Sequence, residues 1–557
     1  MEATIQLNIN DVKSHLVTNK FIFPTAQTYQ SIESSSKGFH TYGPVGLILK
    51  NKIIQLWRDI FLTQEIYEID TPLLQSKEVL TNSGHVGKFT DLVISNGKEI
   101  FRADHLVKDH CEKNNIQLLK PIDDFNKEEL LSFVKEYKIV ENYQNATIEP
   151  KNLMFNFGDL YLRPEIAQGM FTEFENFYGK ISQLPFGLAQ VGKSYRNEIS
   201  PQPFVRLKEF TQAEIEYFFD PNFTNHPLYH LIKNLDVPLL TNQMQLTNSN
   251  LEIFNINDMV ESGVIVNQIM AYFIGTTYKF ITKLGLTDDC IRFRQHLPNE
   301  LAHYAIQCWD LEIKLANGSW LECIGLAHRG DYDLKNHNIK NQNTIKEYSS
   351  KVKKYKIQIK PNQSKENIKN FNINFNTKIF NSSEEILNHP YYHIVSNMTE
   401  IVEIYEHVDS VVIPNVIEPS IGIDRIFFGM ANNLLKRRTG DQNKILFNLP
   451  LKIAPYQLAI FCLSNDENLV KFTQSKFVHI ANIFLVYWDF SSVSIGKKYV
   501  RSDSIGIGLA ITVDFQTLNK NDKNSYETVT LRYSANGEQI RIPISEIINI
   551  VKYFSSV

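Results

Sequence analysis

The chain has 557 residues, 43% of them hydrophobic and 21% charged, with a formal net charge of −4. Such a chain fits a globular protein of about two to four domains and excludes a surface basic throughout, so any contact with nucleic acid must come from local patches. No apolar run approaches the roughly 18–20 residues of a membrane span, and the five scattered cysteines, Cys111, Cys290, Cys308, Cys323 and Cys462, form no C-x-x-C pair, so spacing indicates neither a disulfide framework nor a zinc site.

The N-terminal stretch MEATIQLNINDVKSHL carries Glu2 and Asp11 and no apolar segment, so neither a secretory nor a transit leader is expected and the cytoplasm is the expected compartment. Residues 106–152 read as a first insertion, in which EELLSFVKEYKIVENY predicts an amphipathic helix.

The segment from Leu188 to Glu216 then alternates with period two, which predicts a long antiparallel hairpin turning at SPQP. Gln190, Ser194, Arg196 and Glu198 are in phase on the first strand. On the second, Arg206, Lys208, Phe210, Gln212, Glu214 and Glu216 share one face, while Val205, Leu207, Ala213 and Ile215 form the core face. Alternating charge is ordinarily a solvated surface. Phe210 interrupts this polar row, however, and arginines flank the loop where they can grip phosphate through paired hydrogen bonds. Together they point to a nucleotide site on an antiparallel sheet.

Residues 335–405, rich in Asn and Lys, read as a second insertion; its lysines suit a polyanion, and the same bias can reflect nucleotide composition. After LFNLPLKIAPYQLAIFCL, short apolar strands alternate with helical stretches, the pattern of a separate α/β domain from 449 to 557. No internal repeat occurs.

Taken in order, GFHTYGPVGLILKNKIIQLWRDIFL with EIDTPLLQSKEVLTNSGHVGKFTD, LRPEIAQGMF, the hairpin, CWDLEIKLANGSWLECIGLAHRGDYDL and VIPNVIEPSIGIDRI resemble the dimeric, class II glycyl-tRNA synthetase family, from about Phe21 to the end. The resemblance implies an α+β fold: a class II catalytic domain built on an antiparallel β-sheet flanked by helices, spanning 1–448 with the two insertions, followed by a C-terminal α/β anticodon-binding domain. The first pair matches motif 1, at a homodimer interface ending near Pro72. The hairpin matches motif 2, and EPSIGIDRI matches motif 3. The implied activity joins glycine to tRNA(Gly) through glycyl-adenylate, with ATP and Mg²⁺.

Residue roles follow from the same resemblance. Arg196 matches the α-phosphate arginine, Glu198 the carboxylate reading the adenine amine, and Phe210 the ring on which adenine stacks. Arg206 and Arg425 match the γ-phosphate arginines of a bent ATP, and Glu322 a carboxylate near ATP and its magnesium. Glu165, Glu214, Glu418 and Ser420 match the group around the glycine ammonium, and Arg329 an arginine on the substrate carboxylate side. The stretch SIGKKYVRSDSIGIGLAITVDF resembles the family's anticodon-binding domain, with Lys497, Lys498 and Arg501 as phosphate contacts to tRNA. His85 and His296 read as structural.

Departures from the family pattern are Ile166 for a common threonine, Gln202 for a common arginine in a shorter motif 2 loop, and His328 for aspartate. No N-terminal helical appendage of the kind some animal members carry is expected. Two alternatives are a non-catalytic nucleic-acid-binding protein on the same scaffold and a class II synthetase for threonine, proline or serine. The first is expected to lose the phosphate arginines and pocket acids, all retained here; the acidic pocket and the absence of cysteine or histidine at zinc spacing speak against the second.

Overall fold

Alternation in EFTQAEIEYFF is what places the site. In the computed structural model this strand, Glu209–Phe219, turns Ala213, Ile215, Tyr217 and Phe219 into the main core and Gln212, Glu214 and Glu216 to the opposite face. It lies within a nine-stranded sheet built from β1 (Ile66–Glu68), β2 (Phe186–Tyr195), β3 (Glu209–Phe219), β4 (Asp236–Leu240), β5 (Glu252–Asn255), β6 (Ile291–Gln295), β7 (Gln307–Lys314), β8 (Trp320–Gly330) and β9 (Asn415–Gly422). The order is β5-β4-β6-β7-β8-β9-β3-β2-β1. The pairs β1 with β2 and β4 with β6 are parallel, and the rest are antiparallel. The described residues are 4–26, 38–338, 348–410, 413–438 and 444–556, leaving aside positions 98, 119, 121, 123, 124, 303, 304, 376, 377 and 523.

Three helices cover the core face. In α1 (Pro44–Phe61) the spacing of Leu49, Ile53, Trp57 and Phe61 makes one buried stripe, and Pro44 at the first turn needs no amide donor. Gly46 lets α1 press against the Phe21 carbonyl, where a Cβ would stand 2.0 Å from that oxygen. The helix α2 (Gln268–Lys283) is buried along most of its length, and α3 (Ile423–Leu434) begins directly after β9 with Gly422 as its cap.

The hairpin differs from its expected form at the tip. Strands β2 and β3 pair from Phe186↔Phe218 to Tyr195↔Glu209, so Arg206 and Lys208 lie outside the strand. Pro201 and Pro203 supply no ladder donors, and Phe204 takes a positive φ of 68° with its ring between His40 and Phe428 at 4.9 and 5.1 Å. Arg206 therefore sits in a tight turn, its amide donating to the Gln202 carbonyl at 2.9 Å.

Strands Thr90–Ser95, Ile100–Arg102 and Thr147–Asn152 form a small sheet beside helices Ala103–Asn114 and Lys127–Glu136. The second helix starts at an Asn126/Glu129 capping box and stops earlier than its pattern predicts, because Lys138 turns to φ 52°. Farther on, Tyr348–Ile359 pairs with Thr399–Ser410 along its whole length; residues 339–347 of the second apparent insertion lie outside the described residues. The C-terminal sheet comprises β10 (Leu458–Cys462), β11 (Val486–Asp489), β12 (Leu509–Val513), β13 (Thr528–Tyr533) and β14 (Gln539–Pro543), in the order β11-β10-β12-β13-β14. Helices α4 (Glu467–Ala481) and α5 (Ile495–Ser504) follow β10 and β11, giving the alternation its βαβ form.

Candidate active site

The polar face of β3 opens into a cavity of about 360 Å³ that gathers residues from the hairpin, β7, β8, β9 and the first turn of α3. Every residue expected to contact ATP or glycine lines it: Arg196, Glu198, Arg206, Phe210, Glu322 and Arg425 on one side, Glu165, Glu214, Arg329, Glu418 and Ser420 on the other.

On the cationic side, Arg196 donates to the Pro164 carbonyl at 3.1 Å, and its guanidinium lies 5.3 Å from the ring centres of both Phe210 and Phe89. Arg206 reaches His105 at 3.0 Å and stands 4.0 Å from Glu198. Burial pushes Glu198 upward, against the pull of Arg206 and Arg196. Arg425, in the first turn of α3, donates to the carbonyls of Val205 at 3.1 Å and Glu322 at 3.0 Å, and pairs with the Glu322 carboxylate at 3.4 Å. Three guanidinium groups thus share one wall.

Beneath Arg425, Asp424 is buried and accepts from the Thr211 amide at 2.6 Å, from Lys50 of α1 at 3.3 Å and from the Tyr42 hydroxyl. One carboxylate thereby ties the motif 3 helix to the motif 2 strand and the motif 1 helix. Sequence reasoning passed over it, although Asp424 adjoins Arg425 in the GIDRI stretch.

The opposite wall is dominated by buried acids. Glu214 accepts from Ser420 Oγ at 2.5 Å, Gln212 at 2.6 Å and the Ile166 amide at 3.2 Å. Burial, with Glu418 and Glu165 as neighbours, pushes its carboxyl up to about 8. Glu216 is fully buried, and neither of its oxygens finds a hydrogen-bond donor among the described residues; burial and Glu418 push it well above the carboxylate range. Burial also raises Glu418, although Arg329 opposes it. Glu165 goes the other way. Burial acts to raise it, but His85 at 3.5 Å, Arg329 at 4.0 Å and Gln168 at 3.0 Å together hold it low.

Arg329 is tied into the acid wall. Its guanidinium donates to Glu418 at 2.7 Å and to both Asp333 oxygens at 2.8 and 3.0 Å. From the cavity lining it holds these acids in place. Asp333, four residues on and buried, is the partner that sequence reading missed; the spacing in HRGDYDL was its signal.

Sheet register lays out the floor between the walls. Glu214 pairs with Ser420, Ser420 with Gly325, and Gly325 with Asp310; Glu418 pairs with Ala327, and Ala327 with Cys308. Directly paired residues point to the same face, so Gly325 and Ala327 form a floor of small side chains. A Cβ on Gly325 would meet only Asp310, at 3.9 Å.

The departures sit as follows. Ile166 is buried and acts through its amide, which any residue supplies. His328 packs edge-on against Phe219 at 5.6 Å and is held neutral, burial lowering it to about 4. Gln202 is exposed in the tight turn. His85 reaches the pocket through Glu165, and His296 lines the cavity with a 2.7 Å contact to Asp310.

In the C-terminal sheet domain a correction arises. Lys498 is only 1% exposed and donates to the Cys462 carbonyl at 3.1 Å, so it is spent on joining α5 to β10. Arg501 is half-exposed and held by Asp489 at 3.1 Å and Ser491 at 3.0 Å, and Lys497 is exposed.

Residues 457–553 match the protein family described as the anticodon binding domain. The chain is 35% identical to the glycine–tRNA ligase of Methanocaldococcus jannaschii, over 92% of this chain and 94% of that protein. It is 33% identical to glycine–tRNA ligase 2 of Saccharomyces cerevisiae, over 97% and 94%. A prolyl-tRNA synthetase from Cryptosporidium parvum, solved with halofuginone and AMPPNP, shares the fold at a TM-score of 0.50 and 13% identity, over 99% of this chain and 78% of that one.

Proposed function

The chain belongs to the glycine–tRNA ligases, class II aminoacyl-tRNA synthetases, and from that premise we propose how its cleft joins glycine to tRNA(Gly). A glycine carboxylate oxygen attacks the α-phosphorus of ATP, the bond to pyrophosphate breaks, and glycyl-adenylate forms. The terminal ribose hydroxyl of tRNA then attacks the glycyl carbonyl and AMP leaves.

The arginine wall takes the triphosphate. Arg196 acts at the α-phosphate, where a fixed guanidinium stabilises charge that builds in the transition state. Arg206 and Arg425 hold the γ-phosphate. Adenine stacks on Phe210, a contact worth roughly 1–3 kcal/mol, with Glu198 at its amine. Glu322, exposed beside Arg425, fits a Mg²⁺ ion, which when bound offsets phosphate charge.

The acid wall takes the ammonium. Clustered buried carboxylates are costly without a compensating cation, and Glu165, Glu214, Glu216 and Glu418 outnumber Arg329, the guanidinium within ion-pair distance of them among the described residues; this excess of buried acid carries the reading. Positioning and charge do the work. The two cleft-lining thiols, Cys308 and Cys323, are pushed up by burial and stay protonated, so neither serves as a nucleophile.

The division into a catalytic unit, 1–448 with insertions at about 106–152 and 335–405, and an anticodon-binding unit, 449–557, is part of this proposal, supported by the family match. So are homodimerisation through motif 1, supported by the exposed apolar cluster Leu73, Leu74, Phe157 and Leu160 beside Pro72, and a cytoplasmic location, supported by five free cysteines. Among the described residues no helix is long and apolar enough to cross a membrane. Lys497 and Arg501 remain as tRNA contacts.

Glycine-dependent exchange of pyrophosphate into ATP tests the whole reading. Exchange with alanine or serine but none with glycine would refute it.

A further inference from the structure

Across the small-residue floor from the acid wall stands a set of donors with no part in the reaction described above. His296 follows β6, and Cys308 and Asp310 occupy positions i and i+2 of β7, hence one face of that strand. One ring nitrogen of His296, the Cys308 sulfur and one Asp310 oxygen all lie within 4.8 Å of one another. The loop is pinned to the strand by the His296 amide, which donates to the Cys308 carbonyl at 3.0 Å. Arg294 lies 3.6 Å from the same Asp310 oxygen that His296 contacts.

The neighbouring strand leaves the trio uncovered, because Cys308 faces Ala327 and Asp310 faces Gly325. All three donors line the cavity. A tetrahedral zinc site needs donors roughly 3.4–3.7 Å apart, with one nitrogen, one thiolate and one carboxylate among its usual ligands. His296 and Asp310, now hydrogen-bonded at 2.7 Å, would part slightly to admit the ion, and modest side-chain rotation brings Cys308 to the same centre. The other His296 ring nitrogen, Nδ1, is buried and finds no hydrogen-bond partner among the described residues.

We propose that His296, Cys308 and Asp310 form a binding site for a zinc-class divalent ion, with an open fourth position facing the cleft, whose occupancy competes with glycine. Imidazole and a cysteine sulfur, which gives up its proton as the ion binds, select such an ion over Mg²⁺, which prefers oxygen donors. Competition follows from position. The trio and the Glu418–Ser420 row are two strand spacings apart, roughly 10 Å, and an ion with its fourth ligand stands in the gap over Gly325 and Ala327. Only this second half rests on the glycine reading.

The test uses the untagged, full-length protein stripped of metal. Zn²⁺ titrated against a chromophoric chelator is expected to bind at one ion per chain, and Co²⁺ to show a thiolate charge-transfer band in the near ultraviolet. Cys308→Ser is expected to lose that band, and His296→Gln or Asp310→Asn to weaken binding at least about tenfold. Should Cys308→Ser not fold, Zn²⁺ protection of Cys308 from alkylation, read by mass spectrometry on the wild-type chain, replaces it. Absence of stoichiometric binding, or binding unchanged by these substitutions, overturns the site. If the ion binds but glycine does not relieve Zn²⁺ inhibition of pyrophosphate exchange, the competition is overturned while the site stands.

Discussion

Arg329 and Glu418 meet at 2.7 Å with both side chains buried. The same guanidinium grips Asp333, so one cation organises two acids around the proposed glycine pocket. Arg329→Ala strands both carboxylates, and breaking such a buried pair costs about 3–5 kcal/mol. Chemical denaturation is expected to show that loss, together with a large rise in the KM for glycine. Arg329→Lys keeps the charge but not the fork, and recovery by lysine of both stability and glycine KM to wild-type values would contradict the assigned geometry.

In the proposed mechanism Arg196→Ala removes a donor aimed at the reacting phosphorus. Losing one such donor costs about 10²–10³ in kcat. Pyrophosphate exchange should fall by that factor with little change in the melting midpoint. A variant retaining more than half of wild-type kcat would remove Arg196 from the mechanism.

Under the proposed reading, Glu214 makes glycine binding depend on pH. Its carboxyl sits at about 8 in the folded chain, raised by burial and by Glu418 and Glu165, against about 4.3 when unfolded. The folded state therefore binds the extra proton between these values. The stability this group contributes is complete below about 4.3 and is lost as pH rises toward 8, by about 1.4 kcal/mol per unit. Glycine's ammonium must displace that proton, so the apparent glycine affinity should improve about tenfold per unit as pH rises toward 8, and Glu214→Gln should abolish the slope. A glycine KM that does not change between about pH 6.5 and 8 would rule this out.

Gly325→Ala adds one methyl to the pocket floor, where its nearest neighbour is 3.9 Å away. Folding should be unaffected. Glycine, however, loses room worth about 1–3 kcal/mol, so its KM should rise roughly 5- to 150-fold. An unchanged KM would place glycine elsewhere in the cleft.

The cluster Leu74, Phe157 and Leu160 is expected to be covered in a homodimer, Phe157 being 63% exposed in the single chain. Sedimentation of a Leu74→Asp, Phe157→Asp double variant should show monomer where the wild type shows dimer. Wild-type monomer at micromolar concentration would end that reading.

The amino-acid sequence by itself determined the fold class, the family, the alternation of β3 and the residues that line the cleft, because strand periodicity and ordered motifs are local properties of the chain. Tertiary structure alone decided which groups those residues meet. Asp424 joins three motifs through Thr211 and Lys50, and Lys498 is buried under its own domain. Arg206 leaves the strand where Phe204 must turn. His296 meets Cys308 and Asp310 from a different segment, which no ligand spacing within one stretch reveals. Those outcomes depend on contacts between residues far apart in sequence, and on burial, which sets whether a charge is paired, protonated or exposed.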